Sequence, residues 1–145
     1  MLMVKTKVKK STIPDAGLGL FADEFIKKGT MTWRFCPGFD QILYEDDMLR
    51  LSEPARKEFL KHNYKSLEGD YYVSCGDDER FINHSENPNI VEDDSTNSSE
   101  PFSIASRDIN PGEELFCNYY DFDANADMKL NNDFDYKPNK LIRSR

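Results

Sequence analysis

Residues 80–89 read Arg80-Phe81-Ile82-Asn83-His84-Ser85-Glu86-Asn87-Pro88-Asn89. Phe81 and Ile82 are apolar and suited to anchoring the run in a core. Asn83, His84 and Ser85 follow at once, and each of these side chains both donates and accepts hydrogen bonds. Asn87, Pro88 and Asn89 then form a turn signal, because proline fixes φ and asparagine tolerates unusual backbone angles. A polar cluster at the mouth of a turn serves either as a staple between strands or as a binding site. These ten residues alone do not decide between the two.

Two other segments bear on that choice. Toward the N-terminus lies Gly17-Leu18-Gly19-Leu20-Phe21-Ala22, followed by Ile26-Lys27-Lys28-Gly29. Both glycines of this G-x-G permit unusual φ and a close backbone approach, but the third glycine and the helix of a dinucleotide fingerprint are missing. Taken alone it reads as a hairpin turn. Toward the C-terminus, Arg107-Asp108-Ile109 leads through Asn110-Pro111-Gly112 into Glu113-Glu114-Leu115-Phe116-Cys117-Asn118-Tyr119. A tyrosine in such a strand is ordinarily core packing with its hydroxyl satisfied at the rim.

Together the three segments resemble SET-domain methyltransferases. The run at 80–89 is similar to the signature Arg-Phe-x-Asn-His-Ser-x-x-Pro-Asn, and 112–119 to G-E-E-L-x-x-x-Y. The segment from Gly17 is similar to the family's opening, and the resemblance extends over roughly residues 4 to 123. It looks closest to compact, single-domain bacterial members. The resemblance implies a mainly β fold of several short sheets, one or two short helices and a knot-like C-terminal crossing, an exception to unthreaded topology. It implies a protein-lysine N-methyltransferase using S-adenosylmethionine. Gly17, Leu18, Gly19, Arg80, Phe81, Asn83 and His84 would bind the donor, Asn83 and His84 partly through their backbone. Tyr119 falls on the catalytic tyrosine, and Cys117, two residues earlier, on the position shaping the end of the lysine channel. Being smaller than tyrosine or phenylalanine, Cys117 implies progress to di- or trimethyl-lysine.

Tyr64, Tyr71 and Tyr72 are further channel candidates, with Tyr64 and Tyr72 preferred and core packing expected for at least two of the three. The chain departs from many histone-directed relatives at Glu86, where they carry cysteine, and no cysteine-rich zinc segment follows Tyr119. No metal is therefore expected. Another element must close the channel, and Phe134 or Tyr136 in the tail is the candidate.

Composition narrows the alternatives. The chain has 145 residues, 38% hydrophobic and 12% aromatic, enough for one domain with its own core. Its net charge is −8 and its pI about 4.8, which argues against nucleic acid and favours a basic lysine-containing partner. Oligomeric state is left open. Cys36, Cys75 and Cys117 lack any C-x-x-C spacing, so neither a disulfide framework nor a zinc site is specified. Without a signal peptide or a long apolar run, a soluble cytoplasmic protein with no membrane partner is expected.

Local patterns supply the expected elements. Residues 3–10 alternate as a strand with Val4 and Val8 inward, and 30–35 as one with Met31, Trp33 and Phe35 on one face. Residues 46–62 are helical, with Ser52 as N-cap and Ala55, Phe59 and Leu60 sharing a face. Residues 92–100 read as a solvated acidic loop. The organisation is thus a SET domain over 1–123, with a variable helical insert at about 41–66, and a tail over 124–145. Two other classes remain: a non-catalytic module binding a basic peptide, and a Cys–His hydrolase pairing Cys75 or Cys117 with His84.

Overall fold

Valine alternates with lysine at the N-terminus, and this produces a ribbon with one dry face. The computed structural model describes residues 1–93, 95, 100–134 and 136. In it Thr6–Lys10 (β1) pairs antiparallel with Leu18–Ala22 (β2), Val8 opposite Leu20. Val4 and Val8 pack on a core of Leu20, Ile26, Ile90, Ile109 and Leu115, while Lys7 and Lys9 are exposed. Each such fully buried aliphatic side chain contributes about 1.5–3 kcal/mol. Gly17 sits at φ +73°, a conformation that a residue with a Cβ adopts only with strain.

The remaining strands are short. Met31–Trp33 (β3), Phe102–Ala105 (β9) and Ile90–Asp93 (β8) form an antiparallel sheet in the order β3-β9-β8. Gln41–Leu43 (β4), Tyr72–Ser74 (β6) and Tyr64–Lys65 (β5) form another, in the order β4-β6-β5. Asn83–His84 (β7) pairs with Phe116–Cys117 (β10) in parallel. The fold is mainly β with few short helices, as the resemblance implied. Among the described residues no helix is long and apolar enough to cross a membrane.

Three expectations are corrected. In β3, Thr32 is buried alongside Trp33, because a bulge between Met31 and Trp33 disturbs the two-residue alternation against β9. The insert holds two helices, Glu45–Leu49 (α1) and Glu53–His62 (α2), with Ser52 Oγ capping the second by accepting from the Ala55 amide at 3.3 Å. Ala55 itself is exposed; the inner face runs through Arg56, Phe59 and Leu60, three and four residues apart. Thirdly, the acidic stretch is not uniformly solvated. Glu92 and Asp93 end β8, and Glu100 is 4% exposed. Glu100 accepts from Tyr64 at 3.0 Å, from Ser66 at 2.9 Å and from Tyr71. Residues 94 and 96–99 lie outside the described residues.

Candidate functional site

Two backbones separated by more than thirty residues meet at β7 and β10, Asn83 opposite Phe116 and His84 opposite Cys117. Two residues of parallel pairing are too few to hold alone, and side chains complete the junction. The Ser85 amide donates to the Cys117 carbonyl at 2.9 Å. Asn89, 2% exposed, donates to the Glu114 carbonyl at 2.9 Å and accepts from the Phe116 amide at 2.8 Å. The last residue of the opening motif is thus a buried bracket across the crossing. His84 Nδ1 accepts from the Tyr119 amide at 3.1 Å, so the ring proton sits on Nε2. Burial first of all pulls the His84 imidazole below its ordinary value, which keeps it neutral.

On one side of the crossing lies a satisfied carboxylate. Glu114 accepts from Ser11 Oγ at 2.8 Å, from the Thr12 amide at 2.7 Å and from Thr12 Oγ1 at 2.6 Å. Asn83 Nδ2 adds a donor at 3.2 Å and also donates to the Leu18 carbonyl at 3.0 Å. Burial pushes the Glu114 carboxyl up, but the donors of Thr12, Ser11 and Asn83 outweigh it and hold it below the ordinary value. Gly19 belongs to this cluster, since a Cβ there would come 2.4 Å from Glu114 Oε2.

On the other side is a cavity of about 50 Å³. Its aromatic wall is Tyr64, Phe122 and Tyr119, with Tyr64 edge-on to Phe122 at 5.1 Å between ring centres and Phe122 edge-on to Tyr119 at 6.1 Å. The Tyr119 hydroxyl donates to the Ile82 carbonyl at 2.7 Å. Burial above all raises this phenol, so it stays protonated. Lys129, on Ala126–Leu130 (α3), reaches the cavity with its ammonium 5.2 Å from the Tyr119 ring centre and 2.7 Å from Asp123 Oδ2. The remaining wall includes Trp33, Cys75, Glu79, Glu92, Ser103 and Cys117.

The residues expected to bind and react divide between these two places. Tyr119, Cys117 and Tyr64 line the cavity, and Arg80 is at its edge. Tyr72 does not line it; strand alternation turns Tyr72 to the opposite side, onto Met48 and Leu60, with its hydroxyl 3.4 Å from Glu45. Phe134 and Tyr136 pack on that same cluster rather than over the cavity, and among the described residues of the tail it is Lys129 that lines it. Sequence reasoning missed Phe122, Glu79, Glu92 and Trp33. Phe122 carried a signal, an aromatic one 3₁₀ turn beyond Tyr119, whereas the two glutamates read as surface charge.

The Cys–His hydrolase reading fails here. Burial raises both Cys75 and Cys117 well above the ordinary thiol value, so neither is a thiolate near neutral pH, and His84 Nδ1 is engaged by Tyr119. Among the described residues no three His, Cys, Asp or Glu side chains group as a metal site requires.

The residues assigned to a methyl donor fit such a group in chemistry. Nothing lies within 4 Å of where a Gly17 Cβ would be, and Leu18 is 50% exposed, so backbone is open to a ligand there. Beside them are the Phe81 ring, with the Arg80 guanidinium 4.7 Å above it, and His84, whose Nε2 hydrogen is a donor. Gly19 packs closely on Glu114, and the amide donors of Asn83 are both engaged within the protein. Asn83 retains its Oδ1 and backbone for a ligand.

A family model described as SET domain matches residues 17–120. Comparison with curated proteins returns no match. Among solved structures, the chain is similar to ctPRC2 in an autoinhibited conformation bound to S-adenosylmethionine, at 25% identity and TM-score 0.63. It is also similar to the Chaetomium thermophilum Polycomb Repressive Complex 2 bound to GSK126, at 26% identity and TM-score 0.64. Both matches cover 89% of this chain and 17% of the other. An active polycomb repressive complex 2 in the basal state matches at 25% identity and TM-score 0.60, covering 80% of this chain and 15% of that one. The chain therefore spans about a sixth of the length of the chains it resembles.

Proposed function

Because the chain belongs to the SET-domain family, we propose that it transfers methyl groups from S-adenosylmethionine to lysine side chains of a protein. The observation that carries this reading is Tyr119, a neutral phenol on a cavity wall whose hydroxyl is oriented by the Ile82 carbonyl at 2.7 Å. The donor supplies an electrophilic methyl on a sulfonium. The chain must provide the rest, beginning with a neutral amine, since an ammonium has no free electron pair. From an ordinary lysine pKa of about 10.4, neutralisation near pH 7 costs roughly 4–5 kcal/mol.

A narrow aromatic wall lowers that cost by withholding water from the ammonium. The Tyr119 oxygen, having given its hydrogen to Ile82, keeps lone pairs with which to accept an N–H and aim the amine. Gly17, Leu18, Gly19, Arg80, Phe81, Asn83 and His84 hold the donor beside the crossing. The partner is a basic lysine-containing protein or peptide, drawn in by the chain's net charge of −8.

Tyr119→Phe tests the reading. Turnover should fall at least a hundredfold while donor affinity, measured by calorimetry, stays within threefold. A parallel loss of affinity would make Tyr119 structural, unchanged turnover would remove it from catalysis, and a wild type that binds peptide without turnover would favour a module that only binds. The extent of methylation rests on Cys117, buried on the cavity wall with its thiol protonated and a weak hydrogen-bond donor. Such a wall anchors no blocking water strongly, so products extend to di- or trimethyl-lysine. Cys117→Tyr should shift them toward monomethyl, as read by mass spectrometry of a single-lysine peptide under excess donor.

A further inference from the structure

The cavity wall carries two carboxylates, Glu79 and Glu92. Glu79 comes from the 3₁₀ turn Asp78–Phe81, immediately before the Arg80-Phe81 pair. Glu92 comes from β8, directly across from Ser103 of β9, whose hydroxyl donates to it at 3.1 Å. Among the described residues neither has an ion-pair partner within 4.0 Å. Three cations that share the wall are engaged elsewhere: Lys129 with Asp123 at 2.7 Å, His62 with Glu58 at 3.1 Å, and Arg80 over the Phe81 ring; the fourth, Lys61, comes within 4.0 Å of neither acid. A further donor is idle there. Trp33 is 3% exposed, lines the cavity, and its indole N–H has no partner among the described residues. Among the described residues the cavity thus holds a pair of acids with no ion-pair partner within 4.0 Å and a donor without an acceptor, on the same wall as Tyr119.

We propose that Glu92, with Glu79 beside it, accepts the proton that the substrate lysine must lose before methyl transfer. This rests on the reading of the protein as a lysine methyltransferase. In the step, one Nζ–H bond of the ammonium breaks and its electron pair remains on nitrogen. The proton forms an O–H bond on the Glu92 carboxylate, and two charges become two neutral groups. A carboxylate that merely sat near the amine would hold it charged and oppose reaction. Taking the proton is the arrangement in which its presence helps, and exclusion of water favours the neutral pair.

The surroundings suit an acceptor that works near neutral pH. Burial above all raises Glu92 to about 7, and Asp121 and Glu100 add to this against the Ser103 hydrogen bond. Burial, then the charge of Glu92, raises Glu79 well above the ordinary value. The other titratable or charged groups facing the cavity are Lys61 and His62 of α2, Tyr64 of β5, Cys75 after β6, Arg80 next to Glu79, Cys117 and Tyr119 near β10, and Lys129 of α3. Of these, His62 is pulled down, first by burial, and both thiols and both phenols are pushed up. Glu92 is thus a wall carboxyl able to exchange a proton near neutral pH.

The experiment has an equilibrium arm and a kinetic arm. Carbon-13 NMR of protein labelled at glutamate carboxyls, assigned with Glu92→Gln, should show Glu92 titrating near pH 7; an ordinary carboxylate value overturns the proposal without reference to activity. In the kinetic arm, S-adenosylmethionine and the best substrate from a lysine-peptide library serve as probes. Wild-type kcat should rise through an inflection near pH 7. Glu92→Gln should lose that inflection, lower kcat at pH 7 at least tenfold with KM within threefold, and recover as pH rises. Glu92→Asp should restore part of the rate. A Glu92→Gln enzyme that keeps the inflection and the rate overturns this proposal alone. A wild type that methylates no peptide overturns the parent reading, and this one with it.

Discussion

Glu114 and Glu92 lie on opposite sides of the same crossing and meet opposite environments. Glu114 receives four donors from Ser11, Thr12 and Asn83, and its carboxyl is held below the ordinary value although burial works against it. Among the described residues Glu92 receives one hydroxyl and has no ion-pair partner within 4.0 Å, and it is raised to about 7, mostly by burial. Both are glutamates in a largely dry setting. What separates them is the number of donors that the fold brings to each, because a buried charge is stable only when hydrogen-bonded or paired. A fully provided carboxylate becomes scaffold, and an under-provided one becomes a group able to exchange a proton.

The widest gap should open with Glu114→Ala. It leaves the Thr12 amide, two hydroxyls and the Asn83 amide without their acceptor, and stability should fall by about 3–5 kcal/mol. The measurement is urea unfolding at pH 7, and a loss under about 1 kcal/mol would show that water replaces the carboxylate. The sign with pH follows from the depressed carboxyl. Glu114 contributes stability above the ordinary carboxylate value and loses it as pH falls through its lowered one, so the mutant's deficit should shrink in acid.

Glu92→Gln should act in the other direction. Glu92 binds its proton more tightly folded than unfolded, so it lowers stability progressively as pH climbs from 4.5 to about 7. That amounts to about 3 kcal/mol by pH 8. The variant should therefore be more stable than wild type at pH 8 and about equal at pH 4, as followed by unfolding at both. Equal stability at pH 8 would indicate that Glu92 is better solvated than its surroundings suggest.

Asn83→Ala probes the join between the two regions and should change stability least, by about 1–2 kcal/mol, since one donor to Glu114 and one to the Leu18 carbonyl disappear. Its sharper readout is the donor. S-adenosylmethionine should raise the wild-type melting temperature in the absence of peptide, because binding to the native state alone stabilises it. The variant should show no such rise. A rise that survives would move the donor's contacts away from Asn83.

How much of this was legible beforehand depends on the kind of residue. Gly17, Asn83, His84, Asn89 and Tyr119 sit in motifs whose order and spacing identified the family, and β1, β2 and the Ser52 cap follow from short-range alternation and capping chemistry. Those rules act within a few residues, so a linear reading can apply them. Tyr72 was misplaced because period two in β6 says which residues share a face and not which face meets the cavity. Ala55 was misplaced by a single position on the helical wheel.

The sequence by itself determined the family, the mainly β character and the catalytic candidate, because those are carried by residue types at fixed intervals. Only the tertiary structure decided which acids are buried and with what company. Glu92 and Glu100 stand in one acidic run that reads as solvated, yet one faces a cavity and the other takes hydroxyls from Tyr64, Ser66 and Tyr71. The donors of Glu114 lie about a hundred residues away at Ser11 and Thr12 and thirty-one away at Asn83. A carboxylate's charge state depends on desolvation and on donors within hydrogen-bond reach, and both are set by chain crossings that leave no periodic trace in the order of residues.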